Sequence, residues 1–159
     1  MAATLATLRT GISAALAAWT GGTNDLSVAD AVVWGQSMMP PSSLAYTVLI
    51  AWPKGSTDGD NHMLNSYGWR ADVVFSCFAA AATDTPVAKL DAALALVDDV
   101  TQAVQAGVLD SGSALHDDGF RYVEFDWAPV DGAQIDGRPP NWAQYDIVAS
   151  ITWQRSRGA

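Results

Sequence analysis

The residues that could carry chemistry lie most densely between Trp52 and Trp69, in the stretch "WPKGSTDGDNHMLNSYGW". Its segment "DGDNH", residues 58–62, offers oxygen and nitrogen atoms of the kinds that metal ions bind. The segment lacks the regular D-x-[DN]-x-[DN]-G spacing of a calcium loop. The two histidines, His62 and His116, are far apart in the chain, and no C-x-x-C or H-E-x-x-H spacing occurs. We therefore expect no metal site and no cofactor.

The candidate nucleophiles and acid–base pairs also lack the spacing of a catalytic motif. The serines of the predicted loops stand outside any G-x-S-x-G turn; they are Ser42, Ser43, Ser56, Ser66, Ser111 and Ser113. Asp98 and Asp99 are neighbours on a predicted helix, where adjacent side chains diverge by about 100° and cannot act on one atom. Asp117 and Asp118 lie at the very start of a predicted strand, and we interpret them as a polar turn. These patterns predict a protein that is not an enzyme.

Composition indicates surface that is covered in an assembly. Charged residues make up 16% of the chain, against about 25% in an average globular domain, and seven tryptophans are present. The net charge is −9, with 17 acidic and 8 basic residues. Direct nucleic-acid binding requires a basic surface, so this balance argues against it. The single cysteine, Cys77, lies in the apolar run "VVFSCFAAAA" and is predicted to be a buried free thiol.

The N-terminal segment is apolar but does not resemble a membrane anchor. Its longest uncharged part, residues 10–24, is too short to span a bilayer. It also lacks the basic region that opens a signal peptide. We expect an amphipathic helix in a soluble, intracellular protein with no membrane partner.

Apolar periodicity predicts two helices and five strands in a single domain, residues 1–159. The predicted helices are 3–19 and 83–107, and the predicted strands are 29–36, 43–52, 68–79, 117–127 and 142–155. Strands that come in adjacent pairs, with helices between the pairs, indicate an α+β fold. We expect a mostly antiparallel sheet of four to five strands, with two helices packed on it and an extended β-hairpin loop.

Several finer expectations concern the second helix. Thr83 or Thr85 should cap it, Pro86 suits its first turn, and Gly107 should end it. Its apolar stripe is wide enough to pack broadly on a sheet. Three of its acids are expected to face outward: Asp91, Asp98 and Asp99.

The alternation of residues within the strands predicts one apolar face and one more polar face. In the strand at 43–52, Trp52 should share a face with Val48 and Ile50. The strand at 117–127 alternates, with Glu124 on one face and Trp127 on the other. The last strand is predicted to be half-buried, with a polar outward row of Gln144, Asp146, Ser150, Thr152 and Gln154.

The long stretch between the two strongest strands is interpreted as a hairpin arm. Compact domains of this size seldom keep so long a connection without a function. Tryptophan and methionine in loops suit protein–protein contacts. We predict that the arm contacts a neighbouring subunit or another protein, and that its strands are anchored by Trp52 and Trp69. The predicted contact residues are Trp52, Pro53, Lys54, Asp58, Asp60, His62, Met63 and Trp69, with Met38 and Met39 from a nearby loop.

The order of these elements resembles the tail terminator proteins of long-tailed bacteriophages. The similarity covers nearly the whole chain, from "LATLRTGISAAL" to "DIVASITWQR". Its most specific pieces are the strand–loop–strand "YTVLIAWPKGSTDGDNHMLNSYGWRADVVFSCFA" and the helix "DTPVAKLDAALALVDDVTQAV". That helix has the "LD" and "LVD" character common in members, at Leu90–Asp91 and Leu96–Asp98.

The resemblance implies a structural virion protein, assembled in the host cytoplasm, that forms a homohexameric ring in the phage tail or neck. The ring would cap the tail tube, stop polymerisation of the tube protein and present a joining surface to the head connector or head-closure protein. Its sheets would pack around a central channel, and DNA would only pass through as cargo. An acidic channel wall would fit that role because like charges repel.

Two other readings remain open at this point. One is a different phage structural part, a head-closure or neck protein or a tail-tube subunit. The other belongs to a different class: a small α+β ligand-binding domain or enzyme with a pocket under the sheet.

Overall fold

The computed structural model describes residues 3–35, 44–58, 66–130 and 140–156. These residues form an α+β fold with three helices and a mixed sheet of six strands, which confirms the predicted fold class with one strand and one helix more than expected. The helices are α1 (Leu5–Ala17), α2 (Pro86–Leu109) and α3 (Ala114–Asp118). The strands are β1 (Val32–Trp34), β2 (Tyr46–Ile50), β3 (Lys54–Asp58), β4 (Ser66–Ala80), β5 (Tyr122–Pro129) and β6 (Trp142–Ser156).

The sheet is built on two long central strands. Its order is β1-β2-β4-β6-β5, and β3 pairs with β4 beside β2. β1 runs parallel to β2, and every other pair is antiparallel. β4 and β6 pair along 15 residues each, from Ser66↔Ser156 to Ala80↔Trp142, a length of about 50 Å. The mostly antiparallel sheet of the prediction is therefore confirmed.

The main core lies between the helices and one face of this sheet, the helix-covered face. Alternate residues of β4 point to it, from Ala71 to Ala79, beside Val48 of β2 and Ile147 of β6. Leu8 of α1 and Val100 of α2 belong to the same buried cluster. Cys77 is fully buried here as a free thiol, as predicted, and burial raises its pKa.

α1 begins at a capping box. The Thr4 hydroxyl accepts from the backbone N–H of Thr7 at 3.1 Å, and the Thr7 hydroxyl accepts from that of Thr4 at 2.8 Å. These bonds satisfy two N–H groups that would otherwise lack helical partners. Leu8, Ile12 and Leu16 are buried as their spacing predicts, whereas Leu5 is 53% exposed.

α2 begins as predicted but ends later. The Thr85 hydroxyl accepts from the Ala88 N–H at 3.3 Å, and Pro86 opens the first turn. The prediction that Gly107 ends the helix is wrong, because α2 continues to Leu109. A Cβ at Gly107 would lie 2.7 Å from the Ala15 Cβ of α1. The glycine therefore serves close helix packing rather than termination.

Asp99 is the clearest correction to the predicted outward face of α2. It is only 4% exposed, and its carboxylate accepts three hydrogen bonds from the segment after α1. The donors are Trp19 Nε1 at 3.0 Å, the Asn24 backbone N–H at 2.8 Å and Asn24 Nδ2 at 2.9 Å. A Cβ at Gly22 would lie 1.8 Å from Asp99 Oδ1, so this glycine allows the segment to approach the carboxylate.

Two further elements were not predicted as such. Residues 54–58 fall inside the predicted loop but form β3, because β4 supplies a ladder for a polar segment of low strand propensity. Asp117 and Asp118 belong to α3 rather than to a polar turn. Gly119 ends α3 at a φ of 106°, in the left-handed region that glycine adopts readily.

Candidate interaction surface

The predicted hairpin arm is a three-stranded structure. β3 pairs with β4 from Lys54↔Asp72 to Asp58↔Gly68, and the end of β6 covers the other edge of the same part of β4. We use the name arm for these segments, residues 54–58, 66–72 and 150–156. The arm is thus a continuation of the main sheet.

A bulge separates β2 from the arm. β2 pairs with β4 up to Ile50↔Phe75, and β3 resumes at Lys54↔Asp72. Three residues, 51–53, therefore lie opposite two residues of β4, which bends the strand. Pro53 stands in this bulge, where a residue without an N–H is tolerated.

Trp52 is pushed out of the strand by the bulge. The expectation that it shares the buried face of Val48 and Ile50 is wrong, since its side chain is 77% exposed. Its indole lies against Gly35, whose φ is 71°, and a Cβ there would be 2.4 Å from Trp52 Nε1. So exposed a tryptophan is unusual, and it suits a contact surface.

Trp69 has a different environment. It stands opposite Thr57 of β3. Its ring stacks on Trp153 with centroids 6.0 Å apart, and Phe120 meets Trp153 edge-on at 5.0 Å. Trp69 is thus partly buried, and it joins the base of the arm to the core.

The other predicted contact residues divide into two groups. Lys54 is exposed on β3, and Asp58 ends that strand. The remainder lie outside the described residues: Met38, Met39, Asp60, His62 and Met63. Of the predicted set, the structure therefore brings Trp52, Pro53 and Lys54 together at the bulge.

The sheet face opposite the helices carries acids that the contact prediction did not include. Within the described residues, the buried cluster on this face contains strand residues alone, Leu49, Phe78 and Trp142 with their neighbours. Four described acidic side chains point to this open face, against two basic ones, Lys54 and Arg70. The acids are Asp72, Asp146, Glu124 and Asp126.

A row of polar residues crosses this open face. Lys54, Asp72, Ser150 and Glu124 stand side by side across four strands. The Ser150 hydroxyl donates to Asp72 at 2.7 Å, and Arg70 Nε donates to the same carboxylate at 3.0 Å. The hydrogen bond from Ser150 lowers the pKa of Asp72 most, and the hydrogen bond and positive charge of Arg70 lower it further. Asp72 therefore stays ionised, and the guanidinium of Arg70 offsets its charge, so among the described acids of this face those without an ion-pair partner belong to β5 and β6.

β5 forms an open edge of the sheet. The Val130 N–H donates to the Gln144 carbonyl at 3.1 Å, and ladder bonds of antiparallel strands alternate. Even-numbered residues of β5 therefore bond β6, whereas the backbones of Val123, Phe125 and Trp127 point away from the sheet. Pro129 falls in the outward set, where its missing N–H costs no ladder bond. Trp127 is 58% exposed on this edge.

Alternation in the sequence indicates the faces of β5 but not that it is an edge. Only the strand order shows that no described strand lies beyond it. The sequence feature that could have indicated an acidic face here is the pair Glu124 and Asp126, which share one face of β5.

The remaining candidate features do not form a catalytic centre. A cavity of about 500 Å³ lies at the arm, and its lining residues include Ser56, Arg70 and Thr152. Among the described residues, no group of three or more His, Cys, Asp or Glu could hold a metal ion. One helix in the described part, α2, is long and apolar enough to cross a membrane, but half of that stretch is buried inside the fold, as in a core helix.

Comparison with known proteins gives no family for the chain. No protein-family model matches it, and no curated protein matches it significantly. The assignment of function therefore depends on the residues and their geometry.

Proposed function

We propose that the chain is a phage tail terminator, a structural subunit that closes the tail tube as a ring of its own copies. In this role it stops polymerisation of the tube protein and offers a joining surface to the head connector or head-closure protein. The proposal assigns it no enzymatic activity, and its place is the tail or neck of the virion. It is supported by the resemblance in element order and by the α+β architecture that carries a long hairpin arm.

The acid-bearing open face of the sheet is the observation that carries the proposal. One face of the sheet holds the main core and the helices, and the other carries Asp72, Glu124, Asp126 and Asp146 beside a small buried cluster around Phe78. In a ring with this face inward, the acids line the channel. Passing DNA is then repelled by the wall rather than bound, which favours free passage.

The arm and Trp52 supply the contact surfaces of the same proposal. The arm continues the sheet on the side away from Ala80 and Trp142, and Trp52 stands exposed at its base. An exposed aromatic ring next to an extended strand suits contact with another protein. We assign these residues to contacts with a neighbouring subunit or with the tube.

Neutralising the open face tests this function. Particles that assemble with the triple variant Glu124→Gln, Asp126→Asn, Asp146→Asn should deliver DNA more slowly than wild-type particles, compared particle for particle. The matched control changes Asp91 and Asp98 to Asn, because both are exposed on α2. Delivery is followed by the rate at which phage DNA enters host cells. Equal rates for the triple variant and wild type would contradict an acidic channel wall.

Mass in solution separates the ring from a small ligand-binding domain. A hexamer-sized species, or larger rings that depend on concentration and salt, supports a structural ring. A strict monomer that binds a small molecule supports the other class. Tube protein is added in a second measurement, so that a subunit that assembles only on the tube is also detected.

A further inference from the structure

We propose that the open edge of β5 pairs with β3 of a neighbouring copy of this chain, so that the sheet continues from one subunit into the next. The inference rests on the proposed ring and names the surfaces that build it. β5 offers three outward N–H groups, at Val123, Phe125 and Trp127. An extended strand satisfies such a row of backbone groups directly.

The charges on β5 oppose pairing with a second β5. Two identical antiparallel strands meet about a two-fold axis. An axis through Phe125 sets Glu124 against Asp126, and an axis through either acid sets it against its own copy. Like charges directly opposite each other destabilise a strand pair. The registers centred on Glu124, Phe125 and Asp126 are therefore unfavourable for two copies of β5, and these place the largest part of the strand in the pair. A contact between two different edges avoids this repulsion and leads to a ring when the rotation closes.

β3 has the properties that this edge requires. Within the described residues, β3 is hydrogen-bonded to β4 alone, so its outer side has no strand partner. Its exposed Lys54 lies on the open face, the same face as Glu124 and Asp126. In an antiparallel pair with Lys54 of one copy opposite Asp126 of the next, Ser56 stands opposite Glu124 and position 58 opposite Tyr122. In this register the charges match across the contact and no two acids stand opposite each other.

The length of the two strands is also compatible. β3 has five residues and β5 has eight. Pro129 removes a donor from one end of the β5 edge, which leaves the part from Val123 to Trp127 for pairing. Antiparallel pairing sets the outward residues of the two strands opposite each other, Gly55 with Phe125 and Thr57 with Val123, so all five residues of β3 fit beside β5.

Cross-linking between two single-cysteine variants tests the pairing. Lys54→Cys and Glu124→Cys proteins, one carrying a mass tag, are mixed as full chains and treated with a short bis-maleimide. Cys77 does not compete, because it is buried and its thiol pKa is raised. We expect a mixed dimer at several times the yield of the control pair Lys54→Cys with Asp91→Cys, whose partner cysteine lies on α2. A yield no higher than that control, or a predominance of Glu124→Cys dimers, would overturn the proposal.

Charge exchange provides a second readout. Glu124→Lys or Lys54→Glu alone should lower the association constant between copies by up to about fivefold per cross-strand pair. The double variant should restore it. Failure of the double variant to recover, with both proteins folded, would count against the pairing.

These measurements need no phage, so the edge pairing and the proposed function fail separately. Cross-linked copies together with normal tails in the absence of the protein would retain the pairing and reject the terminator. Altered tails together with cross-linking at the control level would do the reverse.

Discussion

Asp99 carries a carboxylate into the interior, where three donors from the segment after α1 surround it. Trp19 and Asn24 belong to that segment, and Gly22 gives it room to approach. A buried charge is tolerated when its hydrogen-bonding capacity is satisfied. Asp99 thus fixes the path of the chain between α1 and β1.

Replacing Asp99 by alanine should destabilise the fold. The change leaves the indole N–H of Trp19 and the N–H groups of Asn24 without their acceptor, at a cost of about 3 kcal/mol in the free energy of unfolding. The neighbouring Asp98→Ala is the matched control, because its side chain is exposed, and we expect a change within about 0.5 kcal/mol. Urea unfolding curves measure both. Equal unfolding midpoints for the two variants would show that the Asp99 contacts contribute little.

The burial of Asp99 could not be predicted from the pattern of α2. Apolar periodicity identifies the stripe that faces the sheet, and Asp99 stands at its border between Leu96 and Val100. The donors come from residues 75 to 80 positions away. A contact of that range depends on how the segment folds back, which local spacing does not indicate.

At the scale of elements, two glycines set the packing of the helices around Leu115. A Cβ at Gly11 of α1 would lie 2.5 Å from a methyl carbon of Leu115, and one at Gly107 of α2 would lie 3.2 Å from the other. The fully buried Leu115 of α3 therefore occupies the space that the two glycines leave. The glycines matter here for their size.

Gly107→Ala should destabilise the protein although alanine favours a helix. The helix gains about 1 kcal/mol in propensity, but the new methyl group overlaps Ala15, and overpacking costs about 1 to 3 kcal/mol. We expect a net loss of up to about 2 kcal/mol, measured by thermal or urea unfolding. Gly21→Ala is the control, since a Cβ there meets no atom within 4 Å. A stabilised Gly107→Ala variant would mean that α1 and α2 can move apart at low cost.

The hairpin of the arm could be predicted from the sequence, but its bulge and its strand β3 could not. Two strong strands around a long polar stretch predicted a hairpin, and the hairpin is present. The bulge at 51–53 could not be predicted, because one extra residue depends on the register of both strands with β4. Polar residues 54–58 are poor strand formers alone, and they form β3 only beside β4.

Shortening the end of the arm should separate folding from assembly. Replacing residues 59–65 by Asn-Gly keeps β3 and the core strands and leaves a four-residue connection between the paired residues Asp58 and Gly68, a length that hairpins use. We expect an unchanged far-ultraviolet spectrum and unfolding midpoint, with impaired assembly onto tails. An equal-length replacement of 59–65 by glycine and serine is the control for length alone. Normal tail assembly with the shortened arm would contradict a contact role for this segment.

At the scale of the whole molecule, one sheet serves two purposes. The helix-covered face supplies the core, and the open face carries the acids that we assign to a channel wall. Alternation in β6 predicted a polar outward row, and the structure places Gln144, Asp146 and Ser150 on the open face. The sequence could not indicate that β5 and β3 are edges, because strand order arises from long-range pairing.

Tail length in particles made without this protein tests the central claim most directly. Lysates of a phage with the gene deleted are imaged by electron microscopy, and tail lengths are compared with wild type and with a strain that is complemented by the intact chain. The account predicts overlong tails without heads, restored to uniform length by complementation. Tails of normal length with heads that leak DNA would contradict a terminator and indicate head closure instead.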